Sequence, residues 1–136
     1  MNIDSIKNGF VIDHITAGKA MQLYKMLELD HLDCCVAILQ NVASRKMGKK
    51  DIIKIDSGIQ IDLDVIGYVS PNATVNTIAD GEIVRKEHIA LPARLVNIIR
   101  CKNPRCITTT EQEIEHIFEL GDKGSYRCYY CETKAN

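Results

Sequence analysis

Four cysteines near the end of the sequence constrain this chain more than any other feature. They form two close pairs, one in the segment CKNPRC and one in the segment CYYC. Two such pairs separated by roughly 15–20 residues are typical of a tetrahedral zinc site, because each pair directs two sulfurs at one point. The sequence therefore predicts one Zn²⁺ ion, and its ligands are Cys101, Cys106, Cys128 and Cys131.

Two other interpretations of these cysteines stay open at this point. The pairs could form disulfides, or CYYC could be a redox centre, although that segment lacks the βαβ pattern of a thioredoxin-like motif. A four-thiolate site leaves no open position for water or substrate, so a zinc ion here would be structural. The surrounding segment of about 40 residues is too short to bury a sufficient core unaided. Metal binding would add folding free energy on the order of 10 kcal/mol.

The composition excludes several classes of protein. The chain has 136 residues, of which 46% are hydrophobic, a net charge of −1 and a pI near 6.4. These values argue against general attraction to nucleic acid or to an anionic membrane. No apolar run approaches the roughly 20 residues of a transmembrane helix, and the acidic opening MNID is unlike a secretory signal. We therefore expect a cytoplasmic protein, where paired cysteines bind metal rather than form disulfides. The remaining cysteines, Cys34 and Cys35, lie in an apolar run and are predicted to be buried.

The residues before Pro92 alternate between strand-like and helix-like patterns. Strands are predicted over residues 10–15, 34–42, 50–56, 74–78 and 82–89. Helices are predicted over residues 17–29, with Thr16 as the N-cap, and around residues 63–69. The dipeptide Asp80-Gly81 predicts a hairpin turn between the last two strands.

This order of elements is the split βαβ pattern of ferredoxin-like domains. It predicts an α+β fold in which one antiparallel sheet carries two helices on one face. Pro92 marks a boundary, because proline disfavours helix in the residue before it. We expect a first domain of residues 1–92 and a second of residues 93–136. The second should be a small all-β domain, zinc-ribbon-like or rubredoxin-like, with short strands over residues 94–100, 115–120 and 125–127.

Polar groups in the first domain become a candidate site if the strands bring them together. They are Asp13, His14, Lys54, Asn76, Arg85 and Lys86. Lysine and arginine offer charge for phosphate, aspartate accepts from ribose hydroxyls and asparagine reads a base or sugar edge. The alternative is an ordinary solvated face, because scattered charges are usually exposed. The sequence has no Walker loop and no plausible catalytic triad, so it gives an enzymatic function little support.

Three segments and the cysteine spacing together resemble a known family. The segments are GFVIDHI (residues 9–15), MGKKDIIKI (residues 47–55) and PNATVN (residues 71–76). In this order, and with the two cysteine pairs, they resemble the aspartate carbamoyltransferase regulatory chain nearly end to end. The resemblance implies a noncatalytic subunit of pyrimidine biosynthesis, with a nucleotide-binding domain and a zinc domain that docks on a separate catalytic chain. It also implies regulatory homodimers joined to catalytic trimers, and the effectors CTP, ATP and, acting with CTP, UTP.

The resemblance assigns roles to residues of this chain. Asp13 and Lys54 would contact the ribose and base region, and His14 and Lys86 would contact the triphosphate. The pocket would be lined by Ile6, Asn76, Ile78 and Ile83. The catalytic chain would contact Asn103, Tyr130 and Glu132. Residues 34–39 are the candidate surface for the homodimer.

Two residues depart from the family pattern, and two rival functions remain. Gly81 stands where better-known members carry a tyrosine, and Arg105 replaces a polar amide in the first cysteine segment. The first rival is a nucleic-acid-binding zinc ribbon, because tyrosines such as Tyr129 and Tyr130 can stack on bases. The second is a separate small-molecule sensor that controls another enzyme.

Overall fold

The chain divides into two compact units, the first ending at Ala90 and the second beginning at Leu91. This is seen in a computed structural model, which describes residues 6–135. Within these residues no helix is both long and apolar enough to cross a membrane.

Over its described residues, 6–90, the first unit contains five strands and two short α-helices. In chain order they are β1 (Gly9–Thr16), α1 (Ala20–Met26), β2 (Val36–Ser44), β3 (Gly48–Ile55), α2 (Leu63–Val69), β4 (Thr74–Ala79) and β5 (Glu82–His88). The strands form one antiparallel sheet in the order β2-β3-β1-β4-β5. This is the ferredoxin-like arrangement with one added edge strand, so the predicted fold class is confirmed.

One face of this sheet forms the core beneath the helices. Ile12 of β1 pairs with Ile53 of β3 on one side and with Val75 of β4 on the other. All three side chains are buried, as are Leu23 of α1 and Ile66 of α2. Since side chains alternate along a strand, the residues between them point to the opposite, open face.

The first helix differs from its prediction. It was expected over residues 17–29 with Thr16 as the N-cap, but Thr16 belongs to β1 and Lys19 holds the cap position without a side-chain hydrogen bond. The helix ends at Met26, and a separate 3-10 turn follows at Leu29–His31. By contrast, α2 agrees with its prediction and is capped by Asp62, which accepts from the backbone N–H groups of the next turn.

Both strands beside β3 contain a bulge. In β1 the register shifts between Ile12 and Ile15, and in β2 it shifts between Leu39 and Val42. Within each bulge one residue has a positive φ, His14 at 57° and Asn41 at 59°. Residues other than glycine rarely adopt this conformation, so the surrounding contacts must hold it in place.

The edge strand β2 begins later than predicted. It starts at Val36, so Cys34 and Cys35 lie in the segment before it. Cys35 is exposed and Cys34 is half-buried. The prediction that both are buried is therefore wrong, because both residues precede the paired strand and neither enters the core.

The second unit is a three-stranded sheet with one short helix. Its elements are β6 (Arg94–Val96), α3 (Ile107–Thr110), β7 (Ile117–Leu120) and β8 (Tyr126–Cys128). Leu95, Phe118 and Cys128 are paired across the three strands and are all buried. Because Cys128 is one of these residues, the small core is continuous with the cysteine cluster.

The strand predicted over residues 94–100 ends at Val96, and α3 was not predicted.

Candidate functional sites

The four cysteines meet at one point in the second unit. Their sulfur atoms all lie within 4.8 Å of one another. The Sγ atoms of Cys101 and Cys131 are 3.5 Å apart, and those of Cys106 and Cys128 are 3.7 Å apart. Four sulfurs at about 2.3 Å from a tetrahedral zinc ion are about 3.8 Å from one another, so this cluster fits such an ion.

The thiols differ in how readily they lose a proton before a metal binds. Burial raises the pKa of Cys101 to about 12 and also raises that of Cys128. The Thr133 hydroxyl, followed by its backbone N–H, lowers the pKa of Cys131 to about 6. Because the metal binds thiolates, its binding must release protons from the more buried sulfurs.

Neighbouring polar groups hold the two cysteine segments in place. The Cys101 N–H donates to Nδ1 of His116 at 3.3 Å, which fixes that ring nitrogen as an acceptor. The Thr108 hydroxyl lies 3.1 Å from Cys106 Sγ, and the Thr133 hydroxyl lies 3.2 Å from Cys131 Sγ. Such contacts orient the ligands of a metal site and stabilise their charge.

In the first unit, several of the predicted residues form one row on the open face of the sheet. Lys54 pairs with Val11, Val11 with Asn76, and Asn76 with Lys86. The row therefore crosses β3, β1, β4 and β5 and joins residues that are far apart in sequence. It places two lysines on either side of an amide.

Asn76 carries an unusual oxygen atom. Its Oδ1 is buried, and no group within residues 6–135 makes a hydrogen bond to it. A buried acceptor without a partner costs about 1–3 kcal/mol, so such an atom needs an explanation. A ligand that donates a hydrogen bond on this face would supply one.

Next to this row lies a small network around Asp13 and His14. Lys50 approaches Asp13 Oδ1 at 2.9 Å, and His14 Nδ1 lies 3.1 Å from the Thr74 hydroxyl. Burial raises the pKa of Asp13, but the hydrogen bonds from Lys50 and from the His14 backbone N–H outweigh it, so this pKa lies below its usual value. The network thus combines a fixed carboxylate with basic groups.

The remaining predicted pocket residues lie near the β4–β5 hairpin. Ile78 and Ile83 are paired across its two strands. Ile6 precedes Lys7, whose carbonyl accepts a hydrogen bond of 2.9 Å from Gly81 at the turn. The segment before β1 therefore passes the hairpin turn, and the structure brings all eight predicted nucleotide residues to one side of the sheet or its rim.

The three residues predicted to contact a partner surround the cysteine cluster. Asn103 lies between Cys101 and Cys106, and its side chain accepts from Arg105 N at 3.0 Å. Tyr130 is partly exposed, with its ring centroid 5.1 Å from that of Tyr129. Glu132, which follows Cys131, is exposed and has a φ of 64°. All three thus offer polar or aromatic groups at the surface of the metal-binding end.

Two residues that contribute to the open face, Lys50 and Thr74, were not among those predicted. Lys50 shares a face with Lys54 by strand alternation, so the pattern of β3 could have identified it. Thr74 could not be found in this way, because its contact depends on the bulge that reorients His14.

Comparison with known proteins decides the family. Residues 1–90 match the family model for the aspartate carbamoyltransferase regulatory chain, allosteric domain. Residues 93–136 match the model for the metal binding domain of the same chain. The chain belongs to the aspartate carbamoyltransferase regulatory chain family. The predicted resemblance is therefore confirmed.

Individual relatives agree with this assignment over nearly their whole length. The aspartate carbamoyltransferase regulatory chain of Clostridium acetobutylicum is 46% identical over 134 residues, covering 97% of this chain and 92% of the relative. That of Bifidobacterium longum is 42% identical over 137 residues, covering 99% of each. Membership also confirms the prediction of a noncatalytic, regulatory subunit, with an allosteric and a metal-binding domain.

Proposed function

We propose that this regulatory chain binds CTP and ATP on the open face of the first unit and transmits their effect to a catalytic chain through the second. UTP, acting with CTP, is a third candidate effector. The nucleotide domain would comprise residues 1–92 and the zinc domain residues 93–136. The chain would act in the cytoplasm, in pyrimidine biosynthesis, as an allosteric control on aspartate carbamoyltransferase.

The observation that carries the nucleotide assignment is the unpaired oxygen of Asn76 between two lysines. The Asn76 Oδ1 atom is buried and lacks a partner among the described residues, while Lys54 and Lys86 lie in the same row. A nucleoside triphosphate offers a hydrogen-bond donor to this oxygen. It also offers negative charge to the two lysines. Asp13 and His14 would add a ribose acceptor and a phosphate donor beside the row.

The metal is proposed to be Zn²⁺, because four closely placed thiolates in tetrahedral spacing favour it. With no open coordination position, the ion would hold the second unit together and do no chemistry. The exposed groups around it, Asn103, Tyr130 and Glu132, would then present a rigid surface to the catalytic chain.

A second copy of the chain is proposed to pair with β2. This strand forms one edge of the five-stranded sheet, and among residues 6–135 its backbone is paired with a strand on one side only, with β3. A regulatory homodimer built in this way would extend the sheet across both copies. Each dimer would carry two nucleotide sites and two metal-bound docking surfaces to the catalytic trimers.

The proposed effect on the enzyme must arise from differential affinity. A nucleotide shifts the equilibrium between two quaternary states only if it binds one of them more tightly, typically by about 1–3 kcal/mol. Binding to the isolated chain is therefore necessary but does not establish control.

The test is a calorimetric titration of CTP and of ATP into the zinc-loaded chain, repeated after mixing with its cognate catalytic chain. We expect binding in both cases, and altered aspartate saturation in the mixture. Assembly without nucleotide binding would contradict the effector assignment. Salt-sensitive binding of an oligonucleotide, with no assembly, would favour the zinc-ribbon alternative instead.

A further inference from the structure

A buried carboxylate joins three parts of the first unit. Asp51 of β3 is fully buried. Its Oδ2 accepts from Gly18 N at 2.9 Å and from Ala20 N at 3.2 Å, while its Oδ1 accepts from Asn41 N at 3.0 Å. Burying this group is costly unless it is hydrogen-bonded, and three backbone donors meet that requirement.

The position of Asp51 coincides with the two bulges. In β3, one residue separates Ile53 from Asp51, but their pairing partners in β1 are separated by two residues. In the same way, one residue separates Ile52 from Lys50, but their partners in β2 are separated by two. A bulge leaves a backbone group without its usual ladder partner. Asp51 accepts from the Asn41 N–H inside the β2 bulge and from Gly18 N and Ala20 N in the turn that follows β1.

The β1 bulge determines where His14 points. In a regular strand, Asp13 and His14 would face opposite sides of the sheet. Here His14 has a φ of 57°, and its ring reaches the Thr74 hydroxyl, 3.1 Å away. Thr74 is the cross-strand partner of Asp13, so the consecutive side chains of Asp13 and His14 lie on the same face of the sheet.

We propose that Asp51 is the positioning residue of the nucleotide site. Its Oδ2 anchors the turn after β1 at Gly18 and Ala20, and so fixes the end of the strand whose bulge holds the His14 imidazole on the open face, while its Oδ1 ties this geometry to edge strand β2. The inference rests on the proposed nucleotide-binding function. Asp51 itself lies on the opposite face of β3 from Lys50 and so would not touch a ligand on the open face.

The arrangement gives ligand binding a route to the sheet edge. A triphosphate that binds His14 would displace the β1–α1 turn. The backbone N–H groups of Gly18 and Ala20 in this turn bind the same carboxylate as the N–H of Asn41 in β2. Rigid hydrogen-bonded elements of this kind carry coupling between sites when both ends can shift. Binding on the open face should therefore change the backbone geometry of the β2 bulge.

The first experiment is the variant Asp51→Asn, with Asp62→Asn as the matched control. Asp62 caps α2 by accepting from Asp64 N at 3.0 Å, so the control makes the same chemical change at the other helix. We expect Asp51→Asn to weaken CTP and ATP binding about tenfold, as loss of an orienting partner does elsewhere, and to shift the His14 ring resonances. Asp62→Asn should do neither. A folded Asp51→Asn chain with wild-type affinity would overturn the proposal.

A double-mutant cycle separates positioning from general destabilisation. If Asp51 acts through His14, the loss caused by Asp51→Asn should largely disappear in a His14→Ala background. Additive losses would mean that Asp51 affects binding by another route and would overturn the proposal.

If Asp51→Asn does not fold, a measurement on the wild-type chain still tests the proposal. During titration with CTP, the amide resonances of Gly18, Ala20 and Asn41 should shift, whereas the Asp62-bound amides of α2 should not. Binding that leaves the first three unmoved would contradict the coupling. If the wild-type chain binds neither triphosphate, the proposed function fails. The positioning claim then depends on whether the His14 resonances in Asp51→Asn differ from those in Asp62→Asn.

Discussion

The two units of this chain build their sites in opposite ways. In the second unit, two short segments supply four identical ligand atoms, and any arrangement that brings the segments together makes the site. In the first, groups on four strands meet through strand register and a bulge. The metal centre is therefore visible in the sequence as spacing, whereas the open face exists only once the sheet has formed. A local site depends on its ligand, and a distributed site depends on its scaffold.

The strongest test of this contrast is to remove one metal ligand. Cys128→Ser should abolish metal binding and unfold the second unit, because metal binding there contributes on the order of 10 kcal/mol. The first unit should remain folded. Metal content, together with amide exchange at Phe118 and at Ile53, measures the two units separately. Joint unfolding of both units would contradict their independence.

A smaller effect is expected from disturbing the scaffold of the first unit. A Cβ on Gly9 would overlap the carbonyl oxygen of Ile55, so Gly9→Ala must displace β1 from β3. We expect a loss of roughly 1–3 kcal/mol in the stability of this unit, the usual cost of overpacking.

The control for this change is Gly58→Ala, because a Cβ at Gly58 meets no atom within 4 Å. Amide exchange at Ile53 should rise in Gly9→Ala alone, and metal content should stay constant in both. Equal destabilisation by the two variants would argue against the steric explanation.

A third test addresses a single group of the distributed site. Lys86→Ala should weaken CTP and ATP binding about tenfold, equivalent to roughly 1.4 kcal/mol, because one phosphate-directed charge is lost. Arg85→Ala is the matched control, since Arg85 is next in sequence but pairs with Glu87. Calorimetry on both variants checks this, and unchanged affinity in Lys86→Ala would remove Lys86 from the site.

The smallest expected effect is a pH dependence in the first unit. The pKa of Asp13 is lowered in the folded chain, so its contribution to stability is present above about pH 4 and is lost as the pH falls through the folded-state value. Asp13→Asn should remove this part of the acid dependence. Denaturant unfolding at pH 7 and at pH 3, monitored by exchange at Ile53, would measure it, and identical acid dependence in both chains would contradict it.

The sequence predicted those parts of the fold whose signals are local. The helix α2 has its cap at Asp62 and a proline two residues beyond its last residue, and the hairpin has Asp80-Gly81 at its turn. The start of α1 could not be predicted in this way, because the carboxylate that accepts from its first amide is Asp51, on another strand.

The same distinction applies to the sites. All four cysteines were identified from spacing, while Asp13, Lys54 and Lys86 could be grouped only on the condition that their strands meet, and a resemblance to a family assigned their roles. Neither bulge leaves a pattern in the sequence, since each depends on how three strands align. For this reason the role of Thr74 became apparent only in the folded chain.

The edge strand β5 also affects how prone the chain is to aggregate. It is the edge of the sheet opposite β2, and two of its apolar side chains, Ile83 and Val84, are more than half exposed at 61% and 62%. An exposed apolar edge is a template for cross-β aggregation, and flanking charges counteract it. Arg85 and Lys86 follow directly, so the lysine that would bind phosphate also protects the edge. Removing both charges should make this edge more prone to aggregation.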